Sequence, residues 1–591
     1  MCGIIGYTGI RDAAPVLYEG LKKLEYRGYD SCGIACIDNN HIEIKKDVGK
    51  VDEVDKKVNL KELTGNIGIA HTRWATHGGV TKENSHPHLS NNKKIAVVHN
   101  GILENYQQQK LFLESSGFVF YSGTDTEVIP NLIEFYMTNN NYNYTFVDAA
   151  KKTFQSLEGQ YAIVAICDKT MVAIRKDAPL VIGLGKDEYF LASDITAFLE
   201  YTKDVIFLEE NDMVIIDKNN LTIFNLNTDN LVERNAEHIE WDAEEAKKGN
   251  FDHYFLKEIT EQAEVIERLA NIDHDIIKDI TNDIRNAKGI YIVACGTAAY
   301  ASMLGAYLFS KIAKTHINFC LASEFEYFNH FLNDKSLIIA VSQSGETADT
   351  IGAIRVAKSR GAKVISITNT DCSTLKRESH KAILQKAGPE IAVNSTKAYT
   401  SQLAILSLIA YDLNGELEEG IGKLKGLPTF VRYLTSHSAR KYVNELAKIL
   451  KDKEHIYLIG RGLQYPTALE AAHKIKEASY IHAEAFAAGE LKHGANALIE
   501  KGTPYIVFTS DENEKDILNN AMEVKSRGAY VIGVGPKNNQ IFDFFIKVRD
   551  AGNYNPIVQI IPMQILAYTL AVIRGCDPDK PRNLAKSVTV K

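Results

Sequence analysis

Basic residues do not outnumber acidic ones in this chain: 67 Lys and Arg stand against 75 Asp and Glu, a net charge of -8. That balance argues against a nucleic-acid partner, although a local basic pocket for an anionic substrate is compatible with it. Paired cysteines are missing too. The eight present (Cys2, Cys32, Cys36, Cys167, Cys295, Cys320, Cys372, Cys576) are scattered, with no C-x-x-C. Such spacing suits reduced thiols, with Cys32 and Cys36 as small core residues. No signal peptide is visible, since Arg11, Asp12, Glu19 and Lys22 interrupt the start. No apolar run approaches the ~18 residues of a membrane span. His71, His77, His86, His88 and His99 include no helical i, i+4 pair, and no Cys or acid cluster completes a metal site. They read as loop and strand-end hydrogen-bonders. These absences predict a soluble, cytoplasmic protein without metal or membrane. The 591 residues, 45% hydrophobic and 24% charged, are too many for one core and suggest three or four domains.

What is present starts at Met1-Cys2-Gly3. A cysteine behind the initiator methionine can become the mature N-terminus, because its small side chain permits methionine removal. It then carries a thiol and an α-amine titrating near pH ~8, so one residue supplies nucleophile and general base. Taken alone, a chance cysteine is the better reading; the next 125 residues change that.

From Met1 to about Asn225 the chain reads as short strands and helices. Strand-like pieces lie at 67–72, 94–100, 161–166, 189–193 and 213–217. Helices are predicted at 12–24 and 126–138, the second capped by Thr124 or Asp125. At strand ends and loops stand Y-R-G-Y-D-S (26–31), H-T-R-W-A-T-H-G (71–78), H-N-G (99–101) and G-T-D-T-E (123–127). With M-C-G-I, in this order, they closely resemble the class II glutamine amidotransferase domain, an α+β N-terminal-nucleophile (αββα) fold. The resemblance implies that Cys2 attacks the glutamine side-chain amide and releases ammonia. It makes Arg73 the fork for the α-carboxylate and Asp125 the anion for the α-ammonium, with Thr76 and His77 also on glutamine. Asn100 and the Gly101 N–H become the oxyanion hole, and Trp74 a gate to an ammonia channel.

Residues 226–282 are strongly charged and read as a helical connector without a core of its own. An internal duplication follows. I-Y-I-V-A-C-G-T (290–297) recurs in kind as I-Y-L-I-G-R-G-L (456–463), and K-V-I-S-I-T-N (363–369) as Y-V-I-G-V-G (530–535). L-I-I-A-V-S-Q-S-G-E-T (337–347) corresponds to P-Y-I-V-F-T-S-D-E (504–512). Apolar strands alternating with helical stretches describe a doubly wound parallel sheet, present twice, with sites beyond the strands' C-terminal ends. The turn S-Q-S-G-E-T suits a phosphate at a helix N-terminus, whereas the second copy's carboxylates would repel one.

The pair resembles tandem sugar isomerase (SIS) domains of flavodoxin-like type. Joined to the N-terminal domain, the likeness covers essentially the whole chain and is to the isomerizing glutamine–fructose-6-phosphate aminotransferase family. It implies amination and isomerisation of fructose 6-phosphate to glucosamine 6-phosphate, with no cofactor. By it, Ser342, Gln343, Ser344 and Thr347 hold the phosphate, and Thr297, Val393 and Ser395 line the sugar. In the Ala-rich stretch 468–494, Glu470, Lys474 and Glu477 share one helix face, ordinarily a solvated ladder. The likeness makes Glu477 the base moving a proton between C1 and C2, with Lys474 beside it, and His493 the ring-opener, reaching a neighbouring subunit. The tail 577–591 cannot be a regular helix through Pro578 and Pro581. R-N-L-A-K-S-V-T-V there matches the family's closing signature, with Lys586 as the amine that forms an imine with the ketose if its surroundings depress its pKa.

Three departures stand out: Ala298 where the family commonly has Ser, Ala263 where E-Q-P is common, and Ala495 where H-G-P is common. The expected division is 1–225 glutaminase, 226–282 linker, 283–425 and 426–565 the two SIS domains, and 566–591 a catalytic tail. A homodimer is expected. Rivals are the same architecture with another phosphosugar acceptor, and a sugar-phosphate sensor, which would need neither Cys2 nor Lys586. No S-G-G-x-D-S or D-D-S loop is present, which excludes glutaminases fused to other synthases.

Overall fold

The computed structural model describes residues 2–75, 77–139, 144–217, 220–239, 248–371 and 373–589. The chain divides into two compact units, Met1–Glu245 with Ser587–Lys591, and Ala246–Lys586.

The first unit is built on two antiparallel sheets, of eight and seven strands. Strand Gly3–Thr8 lies inside the larger sheet, paired with Ile67–Arg73 on one side and Glu188–Ala192 on the other. Period-two alternation decides the layers. Ile4, Ala35, Ile69 and Leu191 face Val98, Val164, Ala173 and Val214 of the smaller sheet in one core. Ile5 faces away, against helix Ala13–Leu24, where a Cβ on Gly20 would lie 2.2 Å from its Cδ1. On the smaller sheet's other face, Val97, Ile163 and Ala165 pack with Leu132 and Phe154 of helices Val128–Thr138 and Phe146–Ser156. The four layers are αββα, as the motifs imply. Helix Val128–Thr138 is not capped by Thr124 or Asp125 as expected: Glu127 occupies its N-cap position, and Asp125 turns back to accept the Leu103 N–H at 2.9 Å. Strands Ser31–Asp38 and His41–Val48 were not predicted.

The second unit holds two five-stranded parallel sheets with the same order, second-first-third-fourth-fifth. One runs Asn318–Leu321, Ile290–Ala294, Leu337–Ser342, Lys363–Thr368, Lys381–Leu384; the other runs His482–Ala487, His455–Gly460, Pro504–Phe508, Tyr530–Gly535, Phe544–Lys547. Their strands read as unbroken apolar runs because both faces are covered. Ile292, Ile339 and Ile365 of one sheet and Leu458, Ile506 and Ile532 of the other belong to a single continuous core.

Three expectations change here. The charged connector is not coreless: helices Tyr254–Thr260 and Gln262–Leu269 bury Phe255, Ile259, Ala263, Ile266 and Leu269 in that shared core, and helix His274–Asn286 adds Ile277 and Ile280. Their spacing of three and four forms an apolar stripe that the flanking charges mask. The stretch Gly552–Ile573 is long and apolar enough, by length and composition, to cross a membrane, against the expectation that no such run exists. Most of it is buried inside the unit, and Ile560, Met563 and Leu566 sit in the common core, so a helix apolar all round is here a central helix. Residues 565 and 566 both lie inside helix Asn555–Ile573, so the tail starts after it.

Candidate active site

In the first unit, Cys2 sits where the edge of strand Gly3–Thr8 meets the end of Ile67–Arg73. Its Sγ accepts the Trp74 N–H at 3.2 Å and donates to the Trp74 carbonyl at 3.4 Å. Burial pushes the thiol up, and the Trp74 amide and Arg73 guanidinium work against that rise. Asn100 Nδ2 donates to the Cys2 carbonyl at 3.0 Å. Its Oδ1 lies 3.1 Å from His71 Nε2, which is also 3.0 Å from the His99 carbonyl. Two acceptors on one ring nitrogen put the proton on Nε2 and fix the amide's orientation, so an Asn100 N–H points at the Cys2 carbonyl. Burial keeps His71 neutral, its pKa lowered to about 3. Next, Gly101 has φ +124°, and a Cβ there would lie 1.9 Å from the Gln160 carbonyl; only glycine fits.

Arg73 is buried, and its guanidinium donates to the carbonyls of His77, of Gly78 at 3.1 Å and of Gly79 at 3.0 Å. This fork is thus held by the 77–79 loop of its own motif. Asp125 is also buried, holding the Leu103 N–H. Half-buried His77 presents its ring edge-on to Tyr106, with centroids 5.7 Å apart, and Trp74 packs edge-on to Tyr29 at 6.0 Å. Thr76 lies outside the described residues. His71, His86, His88 and His99 hydrogen-bond at strand ends and loops as expected, and they also pack together: His71 stacks on His86 at 4.1 Å, His88 packs edge-on to His86, and His99 Nδ1 lies 2.9 Å from Thr126 Oγ1. All four are buried, and burial lowers their pKa values.

In the second unit the first sheet's strand order reverses between Ile290–Ala294 and Leu337–Ser342, the switch point where doubly wound sheets bind ligands. Both flanking turns carry predicted residues. Ser342 Oγ accepts the Gly345 N–H at 3.0 Å and lies 3.1 Å from Thr347 Oγ1, while Ser344 Oγ accepts the Glu346 N–H at 3.1 Å. The Gln343 carbonyl accepts the Asn369 N–H at 3.0 Å. Gly345 has φ +67°, and a Cβ on it would lie 2.2 Å from Ser373 Oγ. Thr347 is the N-cap residue of helix Ala348–Ser359 but makes no side-chain cap bond, so the dipole end opens beside three hydroxyls.

Across the switch point, Thr297 Oγ1 donates to Glu470 Oε1 at 3.3 Å, joining the first repeat to helix Gln464–Ser479 of the second. The ladder on that helix is not solvated. Glu470 and Lys474 are fully buried, with Lys474 Nζ 3.6 Å from Glu470 and 2.5 Å from Glu477 Oε2. His473 Nε2 lies 3.1 Å from the other oxygen, Glu477 Oε1. Burial raises Glu470 to about 7. Burial would raise Glu477 as well, but Lys474 and His473 hold it down to about 2. Burial alone would lower Lys474; its two carboxylate neighbours hold it up.

The tail packs onto the same region. Lys586 Nζ donates to Glu390 Oε2 at 2.6 Å, and Ser395 Oγ donates to the same oxygen at 2.9 Å. The Val393 N–H donates to the Asp579 carbonyl, and Asp579 in turn accepts the Tyr254 and Phe255 N–H groups. His493 stands apart: it is exposed on the short turn Ala488–His493 and is not gathered with Glu477 and Lys586 in this chain.

A glutamine amidotransferase domain model matches residues 71–200, and a SIS domain model matches 283–411 and again 449–574. The glutamine–fructose-6-phosphate aminotransferase [isomerizing] of Caldanaerobacter subterraneus subsp. tengcongensis is 44% identical over 617 residues, covering all of both chains. The relative of that name from Methanothermobacter thermautotrophicus is 45% identical, again over both full lengths. The chain belongs to the isomerizing glutamine–fructose-6-phosphate aminotransferase family. Among solved structures, the C-terminal domain of the Francisella tularensis glucosamine–fructose-6-phosphate aminotransferase is similar at 37% identity and a TM-score of 0.52, covering 57% of this chain and all of that one.

For a member of this aminotransferase family, four side chains at the sites went unread in the sequence. His71 orients Asn100, Glu390 holds Lys586, Glu258 accepts the Ile391 and Ala392 N–H groups, and His473 holds Glu477. His71 lies inside H-T-R-W and could have been found from that motif. The others are single polar residues in helices and loops, with no local signal.

Proposed function

We propose that this enzyme converts glutamine and fructose 6-phosphate to glutamate and glucosamine 6-phosphate, the entry step of amino-sugar synthesis. The carrying observation is the Thr297–Glu470 contact, where the hydroxyl-rich turns of one repeat meet the buried acid–base face of the other. Cys2 attacks the glutamine amide carbon; its thiol proton passes to the leaving ammonia, and water releases glutamate. Arg73 takes the α-carboxylate by exchanging its loop carbonyls, Asp125, Thr76 and His77 hold the amino-acid end, and the Asn100 and Gly101 N–H groups stabilise the oxyanion by roughly 3 kcal/mol. Ammonia passes Trp74 to the sugar.

There Ser342, Gln343, Ser344 and Thr347 hold the phosphate, and Thr297, Val393 and Ser395 the sugar. His493 of a neighbouring copy opens the ring, which makes the working form a homodimer, and the reaction belongs in the cytoplasm. Lys586 condenses with the C2 carbonyl and loses water; ammonia displaces the lysine. Glu477 removes a proton from C1 and returns it to C2, and the O1 proton passes to the imine nitrogen. The product is the aldehyde form of glucosamine 6-phosphate. These steps are supported by the Lys586–Glu390 and Lys474–Glu477 contacts. Incubating the protein with glutamine and each of several ketose phosphates, and identifying products by mass spectrometry, tests the reading. Product from another acceptor at a higher rate would reassign the substrate, and no product from any would refute it.

A further inference from the structure

The Glu477 carboxylate is gripped at both oxygens. Lys474 takes Oε2 at 2.5 Å, and His473 Nε2 stands 3.1 Å from Oε1. The imidazole is fixed from two other sides. Tyr300 of helix Gly296–Lys311 packs edge-on against it with centroids 5.5 Å apart. It also stands over the first switch-point turn: a Cβ built on Gly296 would meet His473 Nε2 at 4.0 Å, and nothing else lies closer. His473 thus bridges Glu477 to the Gly296–Ala298 turn that follows the first strand of the repeat.

We propose that His473 is a positioning residue of the sugar site, whose Nε2–H fixes the rotation of the Glu477 carboxylate so that one lone pair faces C1 and C2. This rests on the function proposed above. A carboxylate held only by Lys474 can swing about its terminal torsion, which is broad and weakly restrained on its own. A second donor on the other oxygen removes that freedom. It also makes the carboxylate a weaker base, in keeping with the low pKa of Glu477.

The charged and titratable surroundings are few. Glu470 and Lys474 share the helix, Tyr300 comes from Gly296–Lys311, Tyr399 faces Glu470 and Glu390 acts on Lys474. Helix Asn555–Ile573 brings no charged side chain, and strand His482–Ala487 directs His482 to His455 and Glu484 towards Tyr457.

The test compares wild type with His473→Leu and His473→Gln. Wild type must first make glucosamine 6-phosphate; if it does not, the functional reading fails before this inference is reached. With product formed, His473→Leu is expected to lower kcat for amino-sugar formation roughly ten-fold, the scale of a hydrogen bond to a charged group. The KM for fructose 6-phosphate should stay within about two-fold, and glutamine hydrolysis at Cys2 should be unchanged. The acid limb of the kcat–pH profile should move to higher pH, because Glu477 loses a donor. His473→Gln keeps a donor and should restore most of the rate and the original acid limb. Wild-type kcat and pH limb in His473→Leu would overturn the proposal. So would a Gln variant as impaired as the Leu variant. Should His473→Leu fail to fold, His473→Met replaces it in the same comparison.

Discussion

Lys586 Nζ and Glu390 Oε2 are 2.6 Å apart, although 196 positions separate the two residues in the chain. Both are nearly inaccessible to solvent, and Ser395 shares the same carboxylate oxygen. The tail is therefore anchored at Lys586 as well as through Asp579. Borohydride added with fructose 6-phosphate is expected to trap a covalent adduct on Lys586, located by peptide mapping. Glu390→Gln should reduce the yield of that adduct. An adduct that survives in Lys586→Ala would move the imine to another lysine.

Cys2→Ala removes the sulfur that lies against the Trp74 main chain. Glutamate release from glutamine is expected to stop, while binding of fructose 6-phosphate, followed by calorimetry, persists. Retained glutaminase activity would refute the nucleophile assignment.

Trp74 meets Cys2 through its backbone, so Trp74→Ala leaves those contacts and removes only the indole. Glutamate release is then expected to outrun glucosamine 6-phosphate formation. Equal rates would reduce the indole to packing against Tyr29.

Ala298 follows Thr297 at the switch-point turn. A neutral hydrogen bond contributes roughly 0.5–1.5 kcal/mol, so Ala298→Ser should tighten fructose 6-phosphate binding about two- to thirteen-fold. The KM for glutamine should not move. A change confined to glutamine would show that this turn does not border the sugar.

Burial raises Glu258 to about 8, Glu390 reinforcing the rise and Lys586 opposing it. A carboxyl with a raised folded pKa binds its proton more tightly in the native state than in the unfolded chain. Its stabilising contribution is complete below about pH 4.5 and is lost as pH climbs through 8. The buried His71, His86, His88 and His99 act in the opposite sense, but only below their ordinary value near 6.5. Between about pH 7 and 8.5 the melting temperature is expected to fall, and Glu258→Gln should flatten that fall. Parallel slopes in the two proteins would show that Glu258 does not titrate in this window.

The glutaminase site was readable because its chemistry is packed into short stretches at strand ends, 71–78, 99–101 and 123–127, where the fold needs both turn residues and polar groups. The tandem parallel sheets were readable from their repeated apolar runs. Glu258 was not, because the residues it holds, Ile391 and Ala392, lie 133 and 134 positions away and nothing local marks it. Glu390 and His473 were missed for the same reason. The connector's core contribution was hidden because alternating charges dominate its composition, although Phe255, Ile259, Ala263 and Ile266 keep helical spacing. The apolar run 552–573 was overlooked because Asn, Gln and Pro punctuate it without adding charge.

The contact between Thr297 and Glu470 bears on how two copies of one fold came to differ. A symmetric pair of identical repeats would build two equivalent sites, and each repeat would have to keep both a phosphate turn and an acid–base helix. Covalent fusion releases that constraint. The first repeat carries the hydroxyl turn at Ser342–Thr347, and the second carries the buried ladder of Glu470, Lys474 and Glu477, with acidic residues at the equivalent turn. Where that turn would cradle an anion, Asp511 and Glu512 now stand, and the Asp511 N–H is taken by the Asp550 carboxylate. On the function proposed above, one half of the sheet pair grips and the other moves protons. A substitution can then alter grip or chemistry separately, because no mirror site must change with it.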